Sequence, residues 1–278
     1  MTSADTNGRK VPRWLTNFAA AVYAFLYLPI LVLVTYSFNG QGIGGFPPRG
    51  WTLNWYSILF GDAELWNTVL NSLLVALAGV AISIGLGLPA ALALDRAGFP
   101  GKAVFRRVVL LPLILPGIIT GLSLLMFFVA VGMKLSLLTI MLGHGTALIS
   151  VATTEIFAGL QKLDRAQEEA SLDLGANYWK TFLRVTLPNL RVSIIAAALL
   201  IFTLSMDEIA VSFFLIGREN TLPLEIWSRL RRGITPELNA ISTLILLFSI
   251  ALIVIWYRLR TRSERGVRAA PALTPAGL

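Results

Sequence analysis

The sequence predicts an all-α polytopic membrane protein with six transmembrane helices, and three observations support this fold class. Of its 278 residues, 56% are hydrophobic and only 14% are charged, whereas about a quarter of the residues in soluble domains are charged. The charged residues are also segregated, which leaves long runs without Asp, Glu, Lys or Arg. Basic residues flank these runs on one side far more often than on the other.

Each charge-free run is long enough to cross a hydrocarbon core, which takes about 20 apolar residues as a helix. Five runs cover residues 14–48, 65–94, 108–133, 135–154 and 238–257, and a sixth, 192–217, contains only Asp207 and Glu208 as charges. Because unpaired backbone groups are costly in lipid, these runs should be helices. The predicted spans are 14–38, 66–94, 108–131, 137–158, 190–212 and 237–257.

The predicted elements carry recognisable local signals. The first span has a basic start and an apolar run too long for a cleaved signal peptide, so we interpret it as an uncleaved helix. Gly117 and Gly121, four residues apart in the third span, are typical of close helix packing. Residues 213–236 are too apolar for a plain solvent loop and predict a re-entrant or interfacial segment.

The chain divides into three predicted parts. Residues 1–65 comprise the N-terminus, the first span and an outer loop; residues 66–257 form the core with five spans; and residues 258–278 form a basic tail. With six spans, both termini lie on one side. Seventeen Lys and Arg residues fall on that side and six on the other, so both termini should be cytoplasmic in a bacterial inner membrane. Because the basic residues flank apolar runs, the pI of about 10.2 does not indicate nucleic-acid binding.

The polar segment 159–188 between the fourth and fifth spans is the most informative. Its apolar residues recur at spacings of three and four, as on one face of a helix: Leu160, Leu163, Ala166, Ala170 and Leu174. Gly175 stands where a helix end needs a left-handed residue. A second short helix is predicted over about 178–185, and Pro188 suits the start of the fifth span. The segment is therefore predicted to be a two-helix hairpin on the cytoplasmic face.

This segment resembles the "EAA" signature of binding-protein-dependent permeases of ATP-binding-cassette (ABC) importers. The residues that match it or lie within it are Glu169, Ala170, Ser171, Leu172, Asp173, Gly175, Ala176, Val185, Leu187 and Pro188. The spacing agrees throughout, while Ser171 and Val185 stand where the family has Ala and Ile. The resemblance implies that the hairpin is a coupling loop that docks on a cytosolic ATPase.

The same resemblance implies three kinds of partner: a cytosolic ATPase dimer, a second homologous permease, and a periplasmic or lipid-anchored solute-binding protein. The sequence has no G-x-x-x-x-G-K-[ST] phosphate loop, so ATP and Mg²⁺ should be bound by the ATPase and this chain should need no cofactor. It has no cysteine and one histidine, His144, which argues against a metal site, and it offers no catalytic constellation. The chain is therefore predicted not to be an enzyme.

Two carboxylates are candidates for the substrate path. Asp207 and Glu208 are the only acidic residues well inside the predicted fifth span, and acids in membranes are usually functional or paired. They could favour a cationic solute or pair within the helix bundle. The stretches around them, including Ser205–Glu208 and Thr221–Leu224, resemble the second permease of spermidine/putrescine-type importers. That resemblance implies a polyamine, although relatives carry opines, amino-acid derivatives or ferric iron. An ion-coupled secondary transporter is a further alternative.

Overall fold

The computed structural model describes residues 12–41, 47–233, 235–248 and 250. These residues form helices joined by short connections. In chain order they are α1 (Arg13–Tyr36), α2 (Asn54–Gly61), α3 (Ala63–Arg96), α4 (Lys102–Ile114), α5 (Gly117–Ala130), α6 (Leu137–Ala147), α7 (Ile149–Leu160), α8 (Ala166–Asp173), α9 (Tyr178–Thr181), α10 (Leu187–Met206), α11 (Ala210–Leu215), α12 (Leu222–Arg232) and α13 (Pro236–Phe248). The all-α class is confirmed for the described part of the chain, in which one isolated bridge joins Asn39 and Trp51.

Four helical stretches in the described residues are long and apolar enough to cross a membrane. They are Arg13–Tyr36, Ala63–Arg96, Leu137–Leu160 and Tyr178–Met206. These match the first, second, fourth and fifth predicted spans. The predicted sixth span, 237–257, lies partly outside the described residues; its described part is the short apolar helix α13. The number six therefore stays a prediction, and the basic tail 258–278 lies outside the described residues.

The prediction of one continuous helix over 108–131 was wrong. The segment forms two helices, α4 and α5, bent by 110° at a break between them. Leu115 at the break is extended, with φ −75° and ψ 136°. The physical cause is Pro116, because a proline ring disfavours the helical conformation of the residue before it. If the bent pair is counted as one span, the described residues contain five.

Residues 63–228 form one compact unit, and its core lies where α3 packs on α6, α7 and α10. Small residues let these helices approach closely. A Cβ atom at Gly87 would lie 2.5 Å from the Cβ of Ala152, and one at Gly145 would lie 2.6 Å from Ile82. The Ser83 hydroxyl donates to the carbonyl oxygen of Gly145 across 2.8 Å. Such contacts favour helix association in lipid, where the hydrophobic effect gives little driving force.

The second compact unit combines the residues up to Asp62 with those from Arg229 onward. Asn39 organises its loop: the side chain accepts from the backbone N–H of Arg49, and the backbone carbonyl accepts from the Trp55 indole at 2.8 Å. Ser37 and Tyr56 share a hydrogen bond of 2.7 Å.

An ion pair also lies within this second unit. Arg229 and Asp62 form it at 2.7 Å. Arg229 thus neutralises this carboxylate.

We expect Gly87→Ala to weaken the α3–α7 contact, because the added methyl group would meet the backbone and Cβ of α7. Overpacking of this kind costs about 1–3 kcal/mol. Gly85→Ala is the matched control, since a Cβ there meets nothing within 4 Å. The measurement is the thermal midpoint of the purified assembly in detergent. Equal midpoints for the two variants would contradict the close packing.

Candidate functional site

Within the 159–188 segment, the turn after α7 leads into α8, which ends at a left-handed corner. Gly175 has φ +86°, a conformation that side chains disfavour. The N–H of Gly175 donates to Leu172 at 2.9 Å, and the N–H of Ala176 donates to Ser171 at 3.1 Å. This pair of bonds is the Schellman arrangement that ends helices. The sequence prediction of a helix closed by Gly175 is confirmed.

The second part of the segment differs from the prediction. Instead of a separate short helix, α9 continues through a π-helical turn, Phe182–Thr186, into α10. The Leu187 N–H bonds to the Phe182 carbonyl, one residue beyond the α-helical pattern. The adjacent Pro188 has no N–H to donate. The chain from Tyr178 to Met206 therefore forms one span of 29 residues.

Asn177 and Ser171 fix the corner from the two sides. The Asn177 side chain accepts from the Lys180 backbone at 2.8 Å and so caps α9, as asparagine commonly does at a helix start. Ser171 and Thr181 share a hydrogen bond of 3.0 Å between their hydroxyl groups. An alanine in place of Ser171, as in the family signature, could not make this bond. The serine therefore ties α8 to α9.

Large apolar side chains of the 159–188 segment are exposed around the Gly175 corner. Leu174 is 90% exposed, Tyr178 82% and Trp179 66%. The predicted stripe was wrong in one respect: Leu160 is buried at the end of α7 and Leu163 lies in the turn before α8, so neither is on the α8 face. The other signature residues fall in two classes of exposure. Exposed are Glu169, Ala170, Asp173 and Pro188, and partly buried are Leu172, Ala176, Val185 and Leu187.

A groove of about 360 Å³ opens between α8 and the start of the α9–α10 helix. Its lining combines the apolar residues Ala170, Leu174, Ala176 and Val185 with the basic residues Lys180 and Arg184. An exposed apolar surface with a polar rim is typical of a protein contact. The groove is therefore able to receive side chains from another protein.

An ionic network ties the segment to the end of α3. Arg96 lies 2.8 Å from Glu168, whose other oxygen accepts a 2.6 Å hydrogen bond from Thr186. Asp95, with its side chain only 1% exposed, pairs with Arg165 at 3.5 Å and accepts from Gln161. This network was not predicted from the sequence. Its signal was the charged pair Asp95-Arg96 at the end of an otherwise charge-free run.

The two candidate substrate-path carboxylates do not lie inside a continuous helix, so that expectation was wrong. Helix α10 ends at Met206, and the residues after it form a break before α11. Glu208 is partly buried and accepts from the Val211 N–H at 2.9 Å, where the α11 helix dipole favours a negative charge. Asp207 is exposed and makes no hydrogen bond or ion pair with any described residue. Glu208 thus caps α11, whereas the Asp207 carboxylate has no partner among the described residues.

His144 holds the two sides of this break together. Its ring is 1% exposed, with Nδ1 2.7 Å from the hydroxyl of Ser205 on α10 and Nε2 2.8 Å from the hydroxyl of Ser212 on α11. A buried ring with both nitrogens hydrogen-bonded costs little in desolvation. The only histidine in the sequence is therefore a structural bridge across residues 206–211.

The break after α10 lies against the break between α4 and α5. A Cβ at Gly117 would lie 3.2 Å from Ala210 and 3.6 Å from the Glu208 carboxylate. One at Gly121 would lie 2.9 Å from Phe214 and 3.1 Å from Val211. The predicted packing role of this glycine pair is thus visible as close contact with α11. The two interrupted helices support each other within the unit formed by residues 63–228.

Sequence relatives cover nearly the whole chain. The putrescine transport system permease protein PotI of Escherichia coli (strain K12) is 38% identical over 255 residues, which is 88% of this chain and 90% of the relative. The spermidine/putrescine transport system permease protein PotC of Haemophilus influenzae is 35% identical over 239 residues, or 86% of this chain and 93% of the relative.

Solved structures support the same fold. A chain of a bacterial ABC transporter that imports alginate matches with a TM-score of 0.65, covering 88% of this chain and 94% of that one at 16% identity. A chain of the MetNI methionine ABC transporter matches with a TM-score of 0.55, covering 80% and 100% at 17% identity. The family profile of binding-protein-dependent transport system inner membrane components matches residues 83–269. This chain belongs to that family, the permeases of ABC importers.

Proposed function

We propose that this chain is one of two permease subunits of an ATP-driven importer and that the imported solute is a polyamine. The polyamine assignment is supported by the relatives named for putrescine and spermidine transport, at 38% and 35% identity over most of both chains. The observation that carries the coupling role is the exposed apolar surface of the 159–188 segment beside a groove of about 360 Å³.

The proposed orientation places both termini and the 159–188 segment in the cytoplasm. The excess of Lys and Arg on that side supports it. A cytosolic ATPase dimer would bind ATP and Mg²⁺ and would dock on the groove, while a second permease would complete the solute path. A periplasmic or lipid-anchored binding protein would deliver the solute from the other side. This chain would itself bind no cofactor.

Two physical links would carry ATPase motion into the membrane. The first is a continuous helix, because α9 runs through the π-helical turn into α10 without a loop. The second is the pair Arg96–Glu168, which joins α8 to the end of α3. Glu168 is held from both sides, since Thr186 donates to its other oxygen. Movement of α8 would therefore displace α3 and α10 together.

Asp207 is the better candidate of the two carboxylates for contact with a cationic solute. It is exposed and unengaged among the described residues, whereas Glu208 caps α11. A carboxylate near a membrane needs water or a partner to stay charged, and a passing ammonium group would serve as a transient partner. A solute such as an opine, an amino-acid derivative or ferric iron is the alternative within the same architecture. An ion-coupled secondary transporter is set aside because the chain belongs to a binding-protein-dependent family.

Gly175→Val should lower ATP-driven uptake, because a β-branched residue in the left-handed region costs about 1 kcal/mol or more and would disturb the corner. Gly175→Asn is the matched control, since asparagine tolerates this conformation. Uptake and stimulated ATP hydrolysis are measured in the assembled importer. If the valine variant matches the native protein in both, the corner has no part in coupling.

Arg96→Glu should reduce uptake by placing a negative charge against both Glu168 and Asp95, and Glu168→Arg should reduce it by opposing the charge of Arg96. Combining the two changes restores an ion pair and should recover part of the loss, since contacting residues couple by about 0.5–3 kcal/mol. ATPase activity is recorded beside uptake to separate lost coupling from lost assembly. Additive losses in the double variant would argue against a role for this pair.

Asp207→Asn should lower uptake of putrescine or spermidine severalfold while the yield of assembled importer stays unchanged, because this carboxylate has no described partner. Glu208→Gln should change uptake less, since its side-chain oxygen can still accept from Val211. Uptake is followed with radiolabelled solute at matched expression. Normal uptake by the Asp207 variant would remove the physical argument for a cation contact here.

A further inference from the structure

Helix α4 carries a charged and apolar groove that solute transport and ATPase coupling leave unused. The groove is an open face of one helix, since all the residues that line it belong to α4. Its basic end is formed by Lys102, Arg106 and Arg107, and its apolar end by Leu110, Leu111 and Ile114. The two chemistries are therefore separated along the helix axis.

The basic end has no acidic partner in the described residues. Lys102 donates to the Ala97 carbonyl at 2.8 Å, and the Arg106 guanidinium lies 5.8 Å from the centre of the Phe157 ring. Neither contact neutralises a charge. No ion pair of the described chain includes Lys102, Arg106 or Arg107. Three positive charges thus face a shared opening without a counter-charge from this part of the protein.

The apolar end is exposed, and α4 is long enough to carry it from headgroup level into the lipid. Leu111 is 48% exposed and Ile114 76%. From Lys102 to Ile114 the helix advances about 18 Å, at 1.5 Å per residue. Half of a hydrocarbon core is about 15 Å thick. If the basic end lies at headgroup level, the apolar end reaches into the lipid.

We propose that the groove along α4 binds an anionic phospholipid. The phosphate lies among Lys102, Arg106 and Arg107, and an acyl chain runs along Leu110, Leu111 and Ile114. Charge complementarity favours this occupant, because an anionic lipid brings a net negative charge to the three cations, which a zwitterionic lipid or an apolar protein helix does not. Basic pockets on membrane proteins select anionic headgroups for this reason. The site is independent of which solute is carried, so it goes beyond the proposed function.

The test uses the whole importer, purified, stripped of lipid and titrated with phosphatidylglycerol or phosphatidylethanolamine, with bound lipid counted by native mass spectrometry. The native complex should retain phosphatidylglycerol preferentially. Arg106→Gln combined with Arg107→Gln should weaken that binding about tenfold or more, because each basic residue near an anionic headgroup contributes roughly a factor of five. The corresponding double lysine variant, which keeps both charges, should retain the lipid.

Lys162→Gln combined with Arg191→Gln is the matched control, because it removes two positive charges from exposed residues outside the groove. This control should bind phosphatidylglycerol like the native complex. Equal loss in the control would show a general charge effect and overturn the site, as would equal retention of the two lipids. If the Arg106/Arg107 variant instead loses the second permease while keeping its lipid, the groove is a protein contact and the proposal fails.

Discussion

The close approach of α3 to the α6–α7 pair is the constraint on which the rest of the 63–228 unit depends. Gly87 faces Ala152, and the Ser83 hydroxyl binds the Gly145 carbonyl directly. Lipid gives little hydrophobic drive for helix association, so van der Waals contact and hydrogen bonds must hold the helices together. This contact fixes the end of α3, where Asp95 and Arg96 hold the 159–188 segment.

The same helix bundle surrounds two interrupted helices with protein. Irregular backbone at membrane depth is tolerated where protein surrounds it. Here the break after Met206 is closed by His144, by the Glu208 cap on Val211 and by contact with Gly117. A break also turns side chains away from a regular helix face. Asp207 is left exposed beside a structurally anchored neighbour, an arrangement that a continuous helix over 190–212 would not provide.

Sequence reasoning predicted the elements that follow from local chemistry and missed those that follow from tertiary contact. Four of the six predicted spans appear as long apolar helices in the described residues, and Gly175 forms the predicted left-handed corner, because each depends on residues close in the chain. Pro116 is itself a local signal for the break after Leu115. It does not predict a break on its own, because prolines also occur within continuous membrane helices. The pairing of Arg96 with Glu168 joins residues far apart in sequence, and no periodicity indicates it. The hydrogen bonds from His144 to Ser205 and Ser212 also join residues far apart in sequence, so no local pattern predicts them.

In the proposed mechanism, the continuity of α9 with α10 makes Asp207 mechanically dependent on the cytoplasmic segment. From Pro188 to Asp207 the helix advances about 28 Å, at 1.5 Å per residue, so a rotation at its base is carried to its far end. His144 holds Ser205 and Ser212 against α6 and so resists free movement of that end. Motion of α10 must therefore either carry α6 along or shift the break between Met206 and Ala210. Because α6 packs on α3, and α3 is paired to α8 through Arg96, the first outcome moves the bundle as one body. That outcome keeps the geometry around Asp207 intact while the bundle changes its position relative to a second permease.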